Sequence, residues 1–524
     1  MRVLITTSGL GSRLGEFTNF TNKCLVSVGD KPVISHIIDL YPDDTTFVIT
    51  LGHYGNLVFD YLHLAHPNRL FIFVKIDNFS GPGSSLAYSM LAAKSYLSEP
   101  FVYHASDTIV SAPVERPVRN WIAGFTGKDA SNFASFDVFQ NQVVQTHSKG
   151  MDNFDYVYVG ITGILSYEAF WSELERLYEQ NPLDSSLNDF AAITNLIAQG
   201  IRFELSQVTN WVDTGNIATL KLARDRHDNS LPTLEKNDES IYLVDNNVIK
   251  FFADKSVCKN RVARSKILEP VVPKIIGYSE NFYKYEFIDG SVAPKILDVP
   301  LFEKLLLFLE QNLWNLQDSS DKTSSFYDTC FKFYFTKTQM RLASFFLKTG
   351  LEDQENSING ILVPKVSELL EHASMKSLYL GTPCRIHGDL ILDNIIVTQD
   401  SFALIDWRHD FAGLLDIGDK NYDLAKLNHS LILNHDIILK GGFDLRIGDK
   451  EIFLDVKRSN TLIECQIKFF SFIESIGVSR KKTEMLTALI WLNMAPLHAY
   501  PFDRFLFYFG KYNLNRAILS DYDY

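Results

Sequence analysis

Cysteine is scarce: five in 524 residues, at Cys24, Cys258, Cys330, Cys384 and Cys465, with no Cys-x-x-Cys pair. That scatter argues against a zinc ribbon or a disulfide framework and fits a reducing compartment. Glycine and proline, 28 and 17 residues, are too few for a collagen-like or low-complexity chain. Clean apolar runs are also missing. The strongest, Leu486 to Tyr500, is broken by Asn493, Pro496 and His498, short of the ~18–20 residues a membrane span needs. Basic charge is in deficit: 50 Lys and Arg stand against 63 Asp and Glu, a net charge of −13, with no Lys/Arg run long enough to form a basic patch. Such a surface repels nucleic-acid backbones and anionic lipid heads. Small phosphorylated substrates stay open, because a few cations and a metal can hold them locally. Met1-Arg2-Val3-Leu4-Ile5 enters a strand-like stretch without a signal-peptide pattern, so a cytoplasmic protein is expected.

What is present is a globular composition, 46% hydrophobic and 22% charged. At about 150 residues per domain the length implies two or three domains. From residue 1 to about 224, β-rich runs (Val3–Thr7, Thr46–Leu51, Leu70–Ile76, Phe101–His104) alternate with helical stretches such as Val33–Tyr41 and Ser85–Leu97. Strands separated by helices imply a mostly parallel sheet covered on both faces. Residues 225–240, DRHDNSLPTLEKNDES, are polar and carry Pro232, the composition of a linker. Beyond it, Ile241–Val244 and Val248–Phe252 flank Asp245-Asn246-Asn247, a hairpin pattern. From about Leu301 apolar residues recur at three-and-four spacing, in Phe302–Leu316, Met340–Leu347 and Val366–His372, which predicts helices. The expected organisation is a domain at 1–226, a linker at 227–240, and a second domain at 241–524 with a small lobe at about 241–292 and a helical lobe at about 293–524.

The first strand runs into Thr7-Ser8-Gly9-Leu10-Gly11-Ser12-Arg13. Glycines after a strand let backbone N–H groups approach phosphate oxygens, and Arg13 adds a planar fork of donors. Taken alone, this pattern reads better as a plain tight turn. Asn22-Lys23-Cys24-Leu25-Val26 and Gly29-Asp30-Lys31-Pro32 follow, then Gly81-Pro82-Gly83-Ser84-Ser85, His104-Ala105-Ser106-Asp107 and Trp211-Val212-Asp213-Thr214-Gly215. In this order, residues 1–224 resemble the sugar-1-phosphate nucleotidyltransferases. The resemblance implies a Rossmann-like sheet, with Gly9, Gly11, Gly83 and Ser84 at the nucleotide. Arg13 and Lys23 would be catalytic, offsetting phosphate charge, and Asp107 and Asp213 would hold Mg²⁺. Lys31 reads evenly as a solvated loop lysine. Two positions depart from the family. Ser148-Lys149-Gly150 stands where a Glu-Lys pair is usual, leaving Lys149 for the substrate phosphate, and Thr108 replaces a common Asn. Both weaken the case for an ordinary hexose phosphate.

The second half carries Arg385-Ile386-His387-Gly388-Asp389, then Asp393-Asn394 and Ala403-Leu404-Ile405-Asp406-Trp407. An Asp, an Asn five residues on, and an Asp closing an apolar strand suit phosphoryl transfer. Asp389 would accept the hydroxyl proton, and Asn394 and Asp406 would hold Mg²⁺ on ATP phosphates. The set resembles the aminoglycoside phosphotransferase and choline kinase superfamily over residues 240–524. That resemblance implies a two-lobed, protein-kinase-like α+β domain. Within it, Lys250 would touch ATP phosphates, Glu286 and Ile288 would form the adenine hinge, and Asp423 would brace the catalytic loop. His387 reads as structural support rather than a base. Arg408, His409 and Asp410 suit either an acceptor contact or a solvated loop. The aromatic stretch Phe502–Tyr512 suits helical core. No acid lies in Asn260–Leu268 to pair with Lys250, and no glycine-rich lid is visible.

Joined in series, these resemblances imply a bifunctional enzyme. ATP would phosphorylate a hydroxyl of a small sugar, polyol or amino alcohol. A nucleoside triphosphate, CTP by slight preference, would then couple to that phosphate, with Mg²⁺ in both sites. The product would feed bacterial surface-polysaccharide assembly. A kinase-like domain serving only as a nucleotide or effector sensor is the alternative, and a non-enzymatic scaffold is a third reading. A homo-oligomer is left open, and no nucleic-acid partner is expected.

Overall fold

The fold is that of a computed structural model, which describes residues 1–127, 131–226, 238–314, 323–448 and 451–520. Of the expected linker, residues 227–237 lie outside the described residues. The chain divides into two compact units: Met1–Lys255 with Ile276–Phe287, and Ser256–Ile275 with Ile288–Tyr524.

The first unit is built on a nine-stranded sheet. Its order is Leu70–Lys75, Thr46–Leu51, Arg2–Thr6, Phe101–Ala105, Tyr156–Ile164, Trp121–Phe125, Glu204–Gln207, Gln142–His147, Ser135–Phe139. The first four strands are parallel, and Arg2–Thr6 pairs Leu4 with Val48 on one side and with Tyr103 on the other. From Tyr156–Ile164 onward most pairings are antiparallel. Both faces are covered, so alternate residues of one strand enter opposite cores. Val3 and Ile5 pack with Phe47, Ile49 and Tyr61, and Leu4 packs with Val48, Phe101 and Met90. Helices Val33–Ile38, Gly55–Ala65 and Leu86–Ala93 follow the parallel strands.

The expected hairpin forms as Glu239–Val244 and Asn247–Phe252. Asp245 and Asn246 both have positive φ, 47° and 59°, the two left-handed positions a tight hairpin needs. Phe282–Glu286 and Ile275–Tyr278 complete a four-stranded sheet. Tyr242, Ile249, Phe251 and Phe282 are buried in the same core as Val3 and Tyr61. The Tyr242 hydroxyl donates to the Leu25 carbonyl at 2.9 Å. Apolar burial therefore groups this sheet with the first unit, and the chain passes to the second unit at Phe287/Ile288, inside the segment read as a hinge.

The second unit is mainly helical. Helix Lys420–Ile432 is buried along most of its length, packed by Arg480–Met494 and Asn460–Ser475. Phe502–Leu519 buries most of its aromatic side chains, as core. A three-stranded sheet, Ser291–Val292, Ile395–Val397 and Phe402–Leu404, supports the loop that precedes it. All five cysteines are free and buried. Among the described residues, no helix is long and apolar enough to cross a membrane.

Candidate functional site

In the first unit, four of the singled-out side chains converge at the carboxyl ends of the parallel strands. Asp107 follows strand Phe101–Ala105, and Asp213 lies opposite Thr108 in the antiparallel pair Trp211–Asp213 with Thr108–Val110. Thr214 locks this register, its N–H and hydroxyl both donating to the Asp107 carbonyl at 2.9 and 3.0 Å. Lys23 Nζ meets Asp107 Oδ2 at 3.1 Å. Gly215 marks the meeting point. A Cβ there would stand 3.2 Å from Asp213 Oδ1 and 3.3 Å from both Asp107 Oδ2 and an Arg13 terminal nitrogen.

The glycine loop is held for the same geometry. Gly11 has φ +68°, and a Cβ on it would come within 2.9 Å of the Lys23 Cβ, so only glycine lets Lys23 pass. Nothing lies within 4 Å of a Cβ at Gly9. Asn22 is buried and clamps the lysine segment, donating to the Thr7 and His53 carbonyls and accepting from the Cys24 N–H. Ser8 and Ser89 hydroxyls meet at 2.8 Å, tying helix Leu86–Ala93 to this loop. Gly83 (φ +80°) and Ser84 form the turn before that helix, and the Ser84 hydroxyl donates to the Gly81 carbonyl. Lys149 is exposed in a turn after strand Gln142–His147. It makes no ion pair to the Asp107 cluster among the described residues.

Electrostatics separate the two aspartates. Burial works to raise Asp107, but Lys23 and Arg13 outweigh it and hold the carboxyl below its ordinary value. Asp213 is raised, by burial and then by the charge of Asp107. Two oxygen donors around a cradle that one Cβ would fill suit a hard divalent cation such as Mg²⁺. Among the described residues no third His, Cys, Asp or Glu joins them, so substrate phosphates and water would complete its shell. When bound, Mg²⁺ would neutralise charge on the reacting phosphates.

In the second unit, the loop Arg385–Asn394 is shaped from below by buried groups. Arg385 donates to the carbonyls of Ile267, Glu269, Asn312 and Leu313 at two helix ends. Asp423 accepts the His387 and Gly388 N–H groups at 2.8 and 2.7 Å, and the Trp314 indole N–H. Burial pushes its carboxyl up to about 6, against those three hydrogen bonds. His387 is buried and brought down to about 4 by that burial. Neutral, it donates from Nε2 to the Ile405 carbonyl and accepts the Asp389 N–H at Nδ1. Both ring nitrogens are thus engaged by backbone groups of the loop.

Asp389 is open to solvent on one side and pairs with Lys426 at 2.8 Å. Burial works to raise it, and Lys426, His387 and Arg408 overcome this to hold it far below the usual carboxylate range. Asn394 donates to the Asp389 carbonyl, leaving its amide oxygen for a cation. The Ile405 N–H donates to the Asn394 carbonyl and the Arg408 N–H to the His387 carbonyl, so Asp406 is bound into the same loop. Asp406 has φ +61°, strain at a non-glycine residue of the kind that functional sites hold. Lys250 is buried in the hairpin sheet and Glu286 is exposed at the end of its strand, both in the first unit. Ile288 opens the second.

Two contacts were not foreseen. Helix Lys255–Leu268 presents Arg261 to Asp406 at 3.0 Å, a cation where an acid was sought. Lys426, three residues after Asp423 on helix Lys420–Ile432, lies on that residue's face and reaches Asp389. The spacing Tyr-Asp-Leu-Ala-Lys held that signal.

Residues 334–435 match the family model described as phosphotransferase enzyme family. The match spans the loop with Asp389 and Asn394, the strand end with Asp406, and the helix with Asp423 and Lys426. No curated protein matches the chain. Among solved structures, a CTP:phosphocholine cytidylyltransferase from Streptococcus pneumoniae is 18% identical, with TM-score 0.37, over 43% of this chain and 98% of its own. An inositol-1-phosphate CTP transferase from T. maritima is 16% identical, with TM-score 0.35, over 44% and 97%.

Proposed function

We propose that the chain is a bifunctional transferase acting on one small molecule in two steps. The second unit transfers the γ-phosphoryl group of ATP to a hydroxyl, and Asp389 takes the hydroxyl proton as the oxygen attacks phosphorus. The resulting phosphate monoester then attacks the α-phosphorus of a nucleoside triphosphate in the first unit, and pyrophosphate leaves. Arg13 and Lys23 offset charge there, with Lys149 a candidate for the monoester phosphate and Gly9, Gly11, Gly83 and Ser84 for the nucleotide. CTP is the preferred nucleotide. The observation that carries this reading is the pairing in each unit of a carboxylate with a lysine, Asp107 with Lys23 and Asp389 with Lys426, next to a second carboxylate. One chain thus holds two sites suited to phosphate chemistry. Tethering them raises the local concentration of the intermediate.

The test is ³¹P NMR of the full chain with Mg²⁺, ATP, mixed CTP, UTP, GTP and dTTP, and pooled hydroxylated acceptors. A monoester that converts to a diphosphate diester is the expected result. One observation favours a second reading, in which the kinase-like unit only senses nucleotide: Arg261 already occupies the Asp406 carboxylate. Turnover of supplied monoesters with ATP left intact would select it.

The kinase step carries its own pH signature. Asp423, and not Asp389, sits near neutrality. As pH falls through about 6, Asp423 gains a proton and one oxygen ceases to accept from the loop. Phosphorylation is expected to decline there while Asp389 is still ionised. An acid limb that appears only in the range of an ordinary carboxylate, about pH 4, would contradict this role for Asp423.

A further inference from the structure

A cavity of about 140 Å³ in the second unit is lined by Lys337, Arg341, Arg408 and Lys426, with the rings of Phe333 and Tyr422 and an apolar wall that includes Leu489. Four basic side chains face it, and no carboxylate is among its lining residues. Lys426 is paired with Asp389, so one lining side chain separates the cavity from the residue proposed to take the acceptor proton. Lys337 and Arg408 both stack on Phe333, at 4.2 and 5.1 Å from the ring centre. A second acid, Asp410, lines the adjoining pocket and is engaged by His409 and the Gly413 N–H.

Like charges gathered this closely repel one another and cost stability. The crowding registers on Lys337, which burial, then Arg408, Lys426 and Arg341, bring down to about 6. Two polar atoms in the lining are also buried without a partner: Arg408 Nε, a donor, and Asn493 Oδ1, an acceptor. Orphaned donors and acceptors in a native cavity call for a water or a ligand group that completes them. A quaternary ammonium or an aminoglycoside would add positive charge to a lining that already holds Lys337 below its ordinary value. A ligand with an oxyanion would relieve the repulsion and satisfy Arg408, and a hydroxyl on the same ligand would satisfy Asn493.

Resting on the kinase reading above, we infer that the acceptor phosphorylated at Asp389 is an anionic hydroxy compound. It carries a carboxylate or phosphate oxyanion, held by Lys337, Arg341 and Arg408, beside the hydroxyl that receives the phosphoryl group. The hydroxyl oxygen bonds to the γ-phosphorus, the bond to the β-phosphate oxygen breaks, ADP leaves, and the proton passes to Asp389. The product is a phosphate monoester with a second anionic group.

The experiment compares acceptors on matched carbon skeletons: glycerol, glycerate and glycerol 3-phosphate; glucose, gluconate and glucose 6-phosphate; and choline as the cationic control. ADP formation and ³¹P NMR are the readouts. Anionic members are expected to be the better acceptors by ~10- to 100-fold in kcat/KM, the worth of one charge-assisted hydrogen bond. Carboxylate against phosphate members then names the oxyanion. Lys337→Met and Arg341→Met should each raise the KM for the anionic acceptor by a similar factor while the KM for ATP holds. Both should keep their unfolding midpoints, because each removes a crowded cation. Equal or better turnover of glycerol, glucose or choline would overturn the inference and leave the kinase reading standing. If ATP is untouched in every arm, the kinase reading falls. Calorimetric binding of glycerate or glycerol 3-phosphate, lost in Lys337→Met, would then still support an oxyanion pocket, and its absence would refute it.

Discussion

Asp389→Asn is expected to lower kcat for acceptor phosphorylation by ~10²- to 10⁴-fold, the usual worth of a positioned general base. The argument is local. The loop's shape does not depend on the Asp389 carboxyl: its backbone is held by Asp423 through His387 and Gly388, and by Asn394 through the Asp389 carbonyl. The substitution therefore removes the proton acceptor and leaves its frame in place. The KM for ATP should move little. One structural effect is foreseeable, because Lys426 would lose its partner at 2.8 Å. Asp389→Asn with Lys426→Met separates the two causes. If unfolding midpoints recover in the double variant while kcat stays low, the loss is chemical. A single variant within a few-fold of wild type would remove Asp389 from the mechanism.

In the first unit, Asp107→Asn should cut pyrophosphate release by at least ~10²-fold, the scale reported by removal of one preorganised electrostatic group, with phosphorylation by the second unit retained. Asp107 is where Lys23, Arg13 and Asp213 meet across Gly215, so its charge organises the cations and would help hold a bound Mg²⁺. The partner aspartate supplies a second, independent reading. Asp213 has its carboxyl raised by burial and by Asp107, so its proton and Mg²⁺ compete for the same oxygens. The sign is definite: as pH falls through that raised value the carboxylate is lost, and with it a ligand. Raising Mg²⁺ should therefore push the acid limb of the transfer reaction to lower pH, and Asp213→Asn should abolish that shift. Parallel loss of both activities in Asp107→Asn would point instead to a misfolded chain.

Much of this was written in local pattern. The run Thr46–Leu51 is a strand because β-branched and apolar residues suit a sheet buried on both faces. The Asp245-Asn246 turn follows from two residues that tolerate left-handed backbone. The glycine loop, the Asp389–Asn394 spacing and the strand-end Asp406 are each contiguous, so their geometry is set by residues a few positions apart. His387 reads as support in the sequence, and in the fold both its ring nitrogens meet backbone groups of the loop.

What lies between distant segments was not written there. The hairpin sheet shares its core with Tyr61 and Val3, and no period in residues 239–287 says which neighbour will cover its apolar face. Helix Lys255–Leu268 lacks the acid sought for Lys250 and turns Arg261 on Asp406. In sequence that arginine is one more cation on a polar helix. Lys337 and Arg341, four residues apart, look like a solvated face, since charged residues at helical spacing are usually exposed. Only when the helix carrying them packs by Arg480–Met494 do they line one cavity with Arg408 and Lys426. Sequence by itself determined the two candidate sites, because each motif's atoms are set by short-range backbone geometry. The tertiary structure alone decided the charge that lines the cavity beside Lys426, because desolvation and crowding belong to groups that only the packed fold brings together.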